Sequence, residues 1–488
     1  MSDVSVGPPW GRGDRVEGMT GCYTAGFPFL FSGSRSQSYG NFGSIFGAET
    51  WSELLLCDLY FVTRCSPLAP LLIVIVKHRS IFHISRITTM APPFRADHIG
   101  SLLRPQGLLD ARNQVSSSQQ SYYVDISSAV KDIEAKAVSD VVELQQIKGI
   151  RPITDGEYAR HIYFGGLFEK LSGFEVKSEL PIPDAFRTDF PTTVGLAKMG
   201  ARTRAVVICT GKIEYKQSPY LPEWLALRDK LSQSQWAEAK ITMPTPNYQH
   251  IQLKPGTAFT PGSGYTSDEE YFRDLAACYS AELKTLYDAG LRNAQIDDPH
   301  LTYFCSQQFL DGCRKDGTDT DALLDLYIRT HNKLLANKPA DLHVGVHLCR
   351  GNMSGSTHWV SGSYENIADK LFNQTDYQTF YLEFDDLERV GGFEPLRFLP
   401  KGKNVVLGLV STKTADLEDH EALKAKIREA AAVVAEAQGV SVNEALDCLA
   451  ISPQCGFSSH SQSGGTGMTM DRMWAKLEMV KEVAKEVW

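Results

Sequence analysis

Val344-Gly345-Val346-His347-Leu348-Cys349-Arg350-Gly351-Asn352 sets an apolar run of strand length directly before two soft ligands spaced two residues apart. Alternate side chains of a β-strand share a face, so His347 and Cys349 point to one side, where a metal can bridge them. Triplets of this kind arise by chance, so their weight comes from companions at the ends of comparable strands. Glu383 closes Phe380-Tyr381-Leu382, and Cys455 follows Ser452-Pro453-Gln454. A His/Cys/Glu/Cys set suits zinc in softness and number.

On both sides of this run, strand-length apolar segments alternate with segments of helical period from Met90 to Trp488. The strands are expected at Phe94 to Ile99, Arg151 to Asp155, Ala239 to Met243, Asn293 to Asp297, Leu342 to Leu348, Thr379 to Phe384, Asn404 to Val410 and Leu449 to Ser452. Amphipathic stretches lie between them, clearest in Ser127 to Lys148, Ser267 to Ala289, Asp321 to Ala336, Ser363 to Asn373, Leu417 to Gln438 and Met470 to Val487. Eight such repeats close into an α/β (β/α)8 TIM barrel. The alternative is an open doubly wound sheet, against which no Gly-x-Gly-x-x-Gly follows the first strand. Ser267-Asp268-Glu269-Glu270 signals a helix start and Gly290 its end. The connection from about 171 to 236 is too long for an ordinary β-to-α link. It is read as an insertion containing a hairpin at Ala205 to Ile213, serving as a lid or rim over the barrel mouth or as an oligomer contact.

The 488 residues, 43% hydrophobic, are ample for a buried core, and the net charge of −9 argues against a nucleic-acid surface. Ten cysteines scattered along so long a chain suggest reduced thiols in a cytoplasmic protein rather than a disulfide scaffold. Residues 1–89 differ in texture from the rest and are expected to be a poorly ordered extension, outside the working protein if translation begins at Met90. A targeting or membrane-associating tail is the alternative. The two apolar patches in this extension, Leu54 to Val62 and Leu68 to Val76, fall short of the roughly 18 residues of a membrane span, so stable membrane insertion is not expected.

In a barrel enzyme the chemistry sits where strands run into the βα loops. Those positions carry His98-Ile99-Gly100-Ser101, Asp155-Gly156-Glu157, Ile296-Asp297-Asp298-Pro299, His347-Leu348-Cys349, Glu383, Ser411-Thr412-Lys413 and Ser452-Pro453-Gln454-Cys455-Gly456. Apart from Ser411-Thr412-Lys413, this ordered set resembles the cobalamin-independent methionine synthase superfamily, specifically single-barrel relatives of its catalytic half, over Phe94 to Trp488. The resemblance implies that His347, Cys349, Glu383 and Cys455 bind zinc. It also implies that Ile99, Ser101, Glu157 and Asp297 form the site for a small thiol such as homocysteine, to which a methyl donor delivers its methyl group in methionine biosynthesis.

Such a reaction fits the residues, because only a thiolate is a good nucleophile and metal coordination removes the thiol proton. Two departures stand out. The histidine that serves the full-length synthases as proton donor is replaced by Val410 in Leu409-Val410-Ser411, leaving Lys413 or Asp298 as candidates for acid catalysis. The acid that contacts folate in those enzymes is replaced by Tyr303. The methyl donor is therefore left open, and two other functions stand beside methyl transfer. One is a zinc-dependent thiol alkyltransferase or lyase acting on an epoxide or specialised metabolite, and the other a non-catalytic barrel used as a binding module. Taken singly, each residue also has a plain structural reading, Cys349 and Cys455 as core hydrophobes, His347 as a core histidine, Asp297 as a cap and Glu157 as a surface acid. His98, His343, His358, His460, Cys305 and Cys448 are read as structural.

Overall fold

The computed structural model describes residues 91–115, 127–352, 358–460 and 464–488, so the expectation for the N-terminal extension lies outside them. Strands β1 (Ser172–Pro181) and β2 (Thr203–Glu214) form an antiparallel pair of their own. Then β3 (Ile241–Pro244), β4 (Asn293–Asp297), β5 (His343–Leu348), β6 (Thr379–Glu383), β7 (Asn404–Val410) and β8 (Leu449–Pro453) form one parallel sheet in sequential order. Their Val, Ile and Leu content suits strands covered on both faces, and apart from the half-buried His343 every residue of these six is buried.

The fold is a (β/α)8 barrel, and its first two strand positions are reduced to single bridges. Ala96 pairs with Ile451 of β8, with Asp97 N donating to Ile451 O at 2.9 Å, and Ile153 pairs with Ala239 just before β3. These segments are short for a physical reason. Pro152 has no N–H to donate, and Gly100, at φ +124, turns the chain out of the extended conformation. The two segments meet each other through Leu102 N to Gly156 O (3.1 Å) and Thr154 Oγ1 to Gly100 O (2.8 Å).

Inside the barrel, Ile99, Tyr381, Val406 and Ala450 pack as a separate small cluster, while the large core lies between the strands and the helices. Gly345 is required because Tyr381 crosses the interior beside it, 2.7 Å from where a Cβ would stand. Below the mouth, Lys240 Nζ pairs with Asp97 Oδ1 (2.7 Å) and donates to Gln295 Oε1 (2.8 Å), and Tyr381 OH donates to Asp97 Oδ2 (3.0 Å).

The outer helices follow their sequence signals. Asp268–Asp288 is capped by Ser267, whose side chain accepts from Glu270 N, and Ser127–Lys148 and Met470–Val487 fall where periodicity put them. The expected helix from Ser363 breaks instead into a short turn and Ala368–Gln374. The expected hairpin at Ala205 to Ile213 is corrected: that run lies within the single strand β2, paired with β1. Gly211 does not turn the chain. The glycine that matters is Gly173 on β1, at φ +88, where a Cβ would collide with the Lys212 carbonyl. The insertion reaches the barrel loops through Thr192, whose hydroxyl pairs with that of Tyr303, and through Phe190, packed 5.0 Å from the Tyr303 ring. Among the described residues, no helix is long and apolar enough to cross a membrane.

Candidate metal centre

β5 and β8 both end at the barrel mouth, and the loops that follow bring three soft donors together. One ligand atom from each of His347, Cys349 and Cys455 lies within 4.8 Å of the others, and all three residues are buried. A strut holds the two loops in place: Asn352 Nδ2 donates to Gly456 O at 2.6 Å. Gly456 has to be glycine, since any Cβ would occupy the place of the Ser101 hydroxyl.

The histidine is oriented from behind. Asp297 stands opposite His347 in the β4–β5 register, and its Oδ1 lies 3.0 Å from Nδ1. Nε2 faces the Gln454 carbonyl at 3.4 Å, a long contact that a metal ligand bond would replace. Burial lowers the imidazole's affinity for a proton, but the Asp297 hydrogen bond and the neighbouring Cys349 and Asp297 charges outweigh it and raise its pKa. The thiols form a coupled pair. Cys455 donates to Cys349, which brings Cys349 down to about 7 despite burial, with His347 helping; the same bond and burial hold Cys455 well above an ordinary thiol. One imidazole and two thiols, one poised to ionise near neutrality, fit zinc in donor type and spacing.

Glu383 is the expected ligand that does not join this convergence. It is fully buried at the end of β6, where Oε1 pairs with Arg389 and Oε2 accepts from Arg350 N at 2.8 Å. Burial favours its protonated form, but Lys413, Arg389 and Arg350 together keep its pKa below the usual range.

The expected thiol-binding residues border the same space. Gln295 Nε2 bridges Ile99 O (2.8 Å) and Asp297 Oδ1 (2.7 Å). Ser101, on the loop after the first strand position, passes its carbonyl to Phe457 N at 2.9 Å. Glu157 sits at φ +59, an uncommon conformation for a residue with a side chain, pinned by its N–H to Asp155 Oδ1 (2.9 Å). Its Oε1 accepts from Thr242 Oγ1 (2.7 Å), whereas Oε2 is buried without a hydrogen bond. Burial pushes Glu157 up to about 7, with Arg160 opposing and Asp297 adding to the rise. Two neighbouring carboxylates, one with an unmet oxygen, make a receptor for a cation such as an ammonium group.

The two candidates for acid catalysis are placed differently. Lys413 Nζ lies 3.6 Å from Glu383 Oε1, beside the donors. Asp298 is engaged elsewhere: Thr245 Oγ1 (2.8 Å), His331 Nε2 (3.1 Å) and the backbone N–H groups of His300 and Leu301 all bind its carboxylate. Burial opposes its ionisation, but His331 and the other partners prevail and lower its pKa, so it anchors its turn rather than presenting a proton. Val410 is fully buried in β7.

Sequence reasoning missed Arg389, Asn352 and His300. His300 follows the Asp-Asp-Pro turn and stacks among Tyr248 (4.8 Å), Tyr303 (5.1 Å) and Phe190 (6.0 Å). Its place next to Pro299 was the available signal. Arg389 carried a weaker one, a lone basic residue after three acids. His98 and His343 are structural as read, bonded to Pro152 O (2.7 Å) and Thr379 Oγ1 (2.8 Å).

Residues 263–484 match the family model described as the cobalamin-independent synthase catalytic domain. The chain is 34% identical over 397 residues to the uncharacterized protein YxjH of Bacillus subtilis, covering 81% of this chain and 95% of that one. It is 32% identical over 400 residues to YxjG of the same bacterium, with the same coverage. Among solved structures it is similar to a candidate vitamin-B12-independent methionine synthase from Listeria monocytogenes. That match has 27% identity and TM-score 0.58, over 82% of this chain and 99% of that one. A B12-independent methionine synthase from Shewanella sp. W3-18-1, at 18% identity and TM-score 0.56 over 80% and 97% of the two chains, shares the fold.

Proposed function

We propose that this chain, which belongs to the cobalamin-independent methionine synthase family, is a zinc-dependent methyltransferase acting on a small thiol such as homocysteine. A methyltransferase-type function follows from the family. The finer reading is carried by one observation: the convergence of His347, Cys349 and Cys455 beside the Glu157 and Asp297 carboxylates.

Zinc, when bound by His347, Cys349 and Cys455, supplies the Lewis acidity that keeps a coordinated thiol deprotonated near neutral pH. The chain's own residues do the rest. Asp297 fixes the His347 ring through Nδ1. Glu157 and Asp297 hold the substrate ammonium and so aim its sulfur, converting a bimolecular encounter into an oriented one. The Ser101 hydroxyl and nearby backbone amides suit the substrate carboxylate. Lys413, buried beside Glu383, is placed to supply positive charge or a proton at the same mouth.

Metal analysis of the purified chain and of His347→Ala and Cys455→Ala, together with a methyl-transfer assay using homocysteine, tests the reading. About one zinc per parent chain and far less in the variants is expected. Unchanged metal content in both variants would remove the proposal. Val410 at the family's proton-donor position supports a second reading, transfer of a thiol to an epoxide or related electrophile. Thioether formation without any methyl donor would establish that reading instead.

A further inference from the structure

Glu383 differs from the three converging donors in that its carboxylate is already engaged on both oxygens. Oε1 pairs with Arg389 Nη1, while Oε2 accepts from Arg350 N at 2.8 Å. Lys413 Nζ, 3.6 Å from Oε1, contributes charge rather than a good hydrogen bond. Arg389 is itself held from several sides. Its Nη2 donates to Asp385 Oδ1 at 2.8 Å, its carbonyl accepts from Gly362 N at 3.0 Å, and it lies in the one-turn helix Leu387–Val390, which Asp386 caps. Both members of the Glu383–Arg389 pair are buried.

A buried carboxylate cannot be released into solvent, so it must always have a cationic partner. Here the Arg389 guanidinium, which pairs directly with it, competes with a metal at the neighbouring His347, Cys349 and Cys455, while the Lys413 charge stands further off at 3.6 Å. Resting on the proposal that those three residues bind zinc, we infer that Arg389 is a positioning residue that withholds Glu383 from the metal. It thereby keeps the fourth coordination position exchangeable for an incoming thiol. With Arg389 in place, a carboxylate that yields to sulfur moves onto a waiting guanidinium and no buried charge is stranded. Without it, Glu383 keeps the Lys413 charge, 3.6 Å away, and the Arg350 N–H, and the balance shifts toward the metal.

This role has a signature of opposite signs. Removing a merely structural arginine would weaken metal and thiol binding together, whereas removing a competitor strengthens one and weakens the other. Metal affinity is measured by competition with a chromogenic chelator on the full chain. Thiol uptake is read from the visible spectrum of the cobalt(II)-loaded protein titrated with L-homocysteine.

Arg389→Met is expected to bind metal about 10-fold more tightly and homocysteine about 10-fold more weakly, at the low end of effects from outer-sphere partners. Arg389→Lys, which restores one charge, should fall between it and the parent. The gain in metal affinity should vanish when Arg389→Met is combined with Glu383→Gln, since the competing carboxylate is then gone. Unchanged or reduced metal affinity in both Arg389→Met and a folded Arg389→Lys overturns the inference while leaving the metal centre intact. A parent chain that takes up neither zinc nor cobalt overturns the proposed function and this inference with it.

Discussion

Two polar layers lie one above the other inside the barrel, and they obey opposite rules. In the lower layer Asp97, Lys240, Gln295 and Tyr381 satisfy one another: Lys240 donates to Asp97, to His98 O and to Gln295, each within 2.8 Å. In the upper layer Glu157 Oε2 is buried without a hydrogen bond, Cys455 leans on Cys349, and His347 Nε2 has only a long contact to Gln454 O at 3.4 Å. Burial is nearly the same in both, so what separates scaffold from site here is satisfaction rather than depth. A closed network contributes to stability, and an unfinished one is completed by a ligand.

Substitutions can break that contrast, and the largest effect belongs to the upper layer. His347→Ala or Cys455→Ala should abolish metal uptake and turnover while the melting temperature without metal moves little, because the lost groups were waiting for a ligand. Metal analysis alongside thermal melts checks both halves. In the lower layer the order reverses. Lys240→Met strands the Asp97 carboxylate and should cost about 3–5 kcal/mol of stability in denaturant unfolding.

A smaller effect is expected at Glu157, where Glu157→Gln should raise the KM for homocysteine roughly 10-fold, about 1.4 kcal/mol, with metal content unchanged. The same variant also changes how stability depends on pH. Folded Glu157 holds its proton to about 7 against an ordinary value of 4.5, so between these values the folded chain binds the extra proton. Its stability therefore falls as pH rises through that window, and Glu157→Gln should flatten that fall. Asp155, raised to about 6 by burial and Glu223, adds a similar slope lower down. The smallest effect belongs to neither layer. Lys136→Ala removes an exposed pair with Asp140 and should leave the melting curve within error.

Much of this was legible in the chain, for reasons that differ by residue. The parallel strands were readable because burial on both faces forces continuous apolar runs, and the meeting of His347 with Cys349 because they stand two apart at one strand end. Pairing across the insertion was not readable: β2 looks like a turn-bearing run, and only the close crossing at Gly173 shows where its partner lies. The first two strand positions read as full strands in sequence but form only bridges, since propensity does not report how far a ladder extends past Pro152 or Gly100. Arg389 escaped because its meaning lies in Glu383, six residues away and reached through a one-turn helix that carries no periodic signal.

Tyr381, lying across the gap left by Gly345 above the Asp97–Lys240 pair, corks the barrel from below. Traffic is therefore one-way in and one-way out through a shared doorway at the strands' carboxyl ends. Whatever enters must leave by the route it came, beside the insertion anchored at Tyr303.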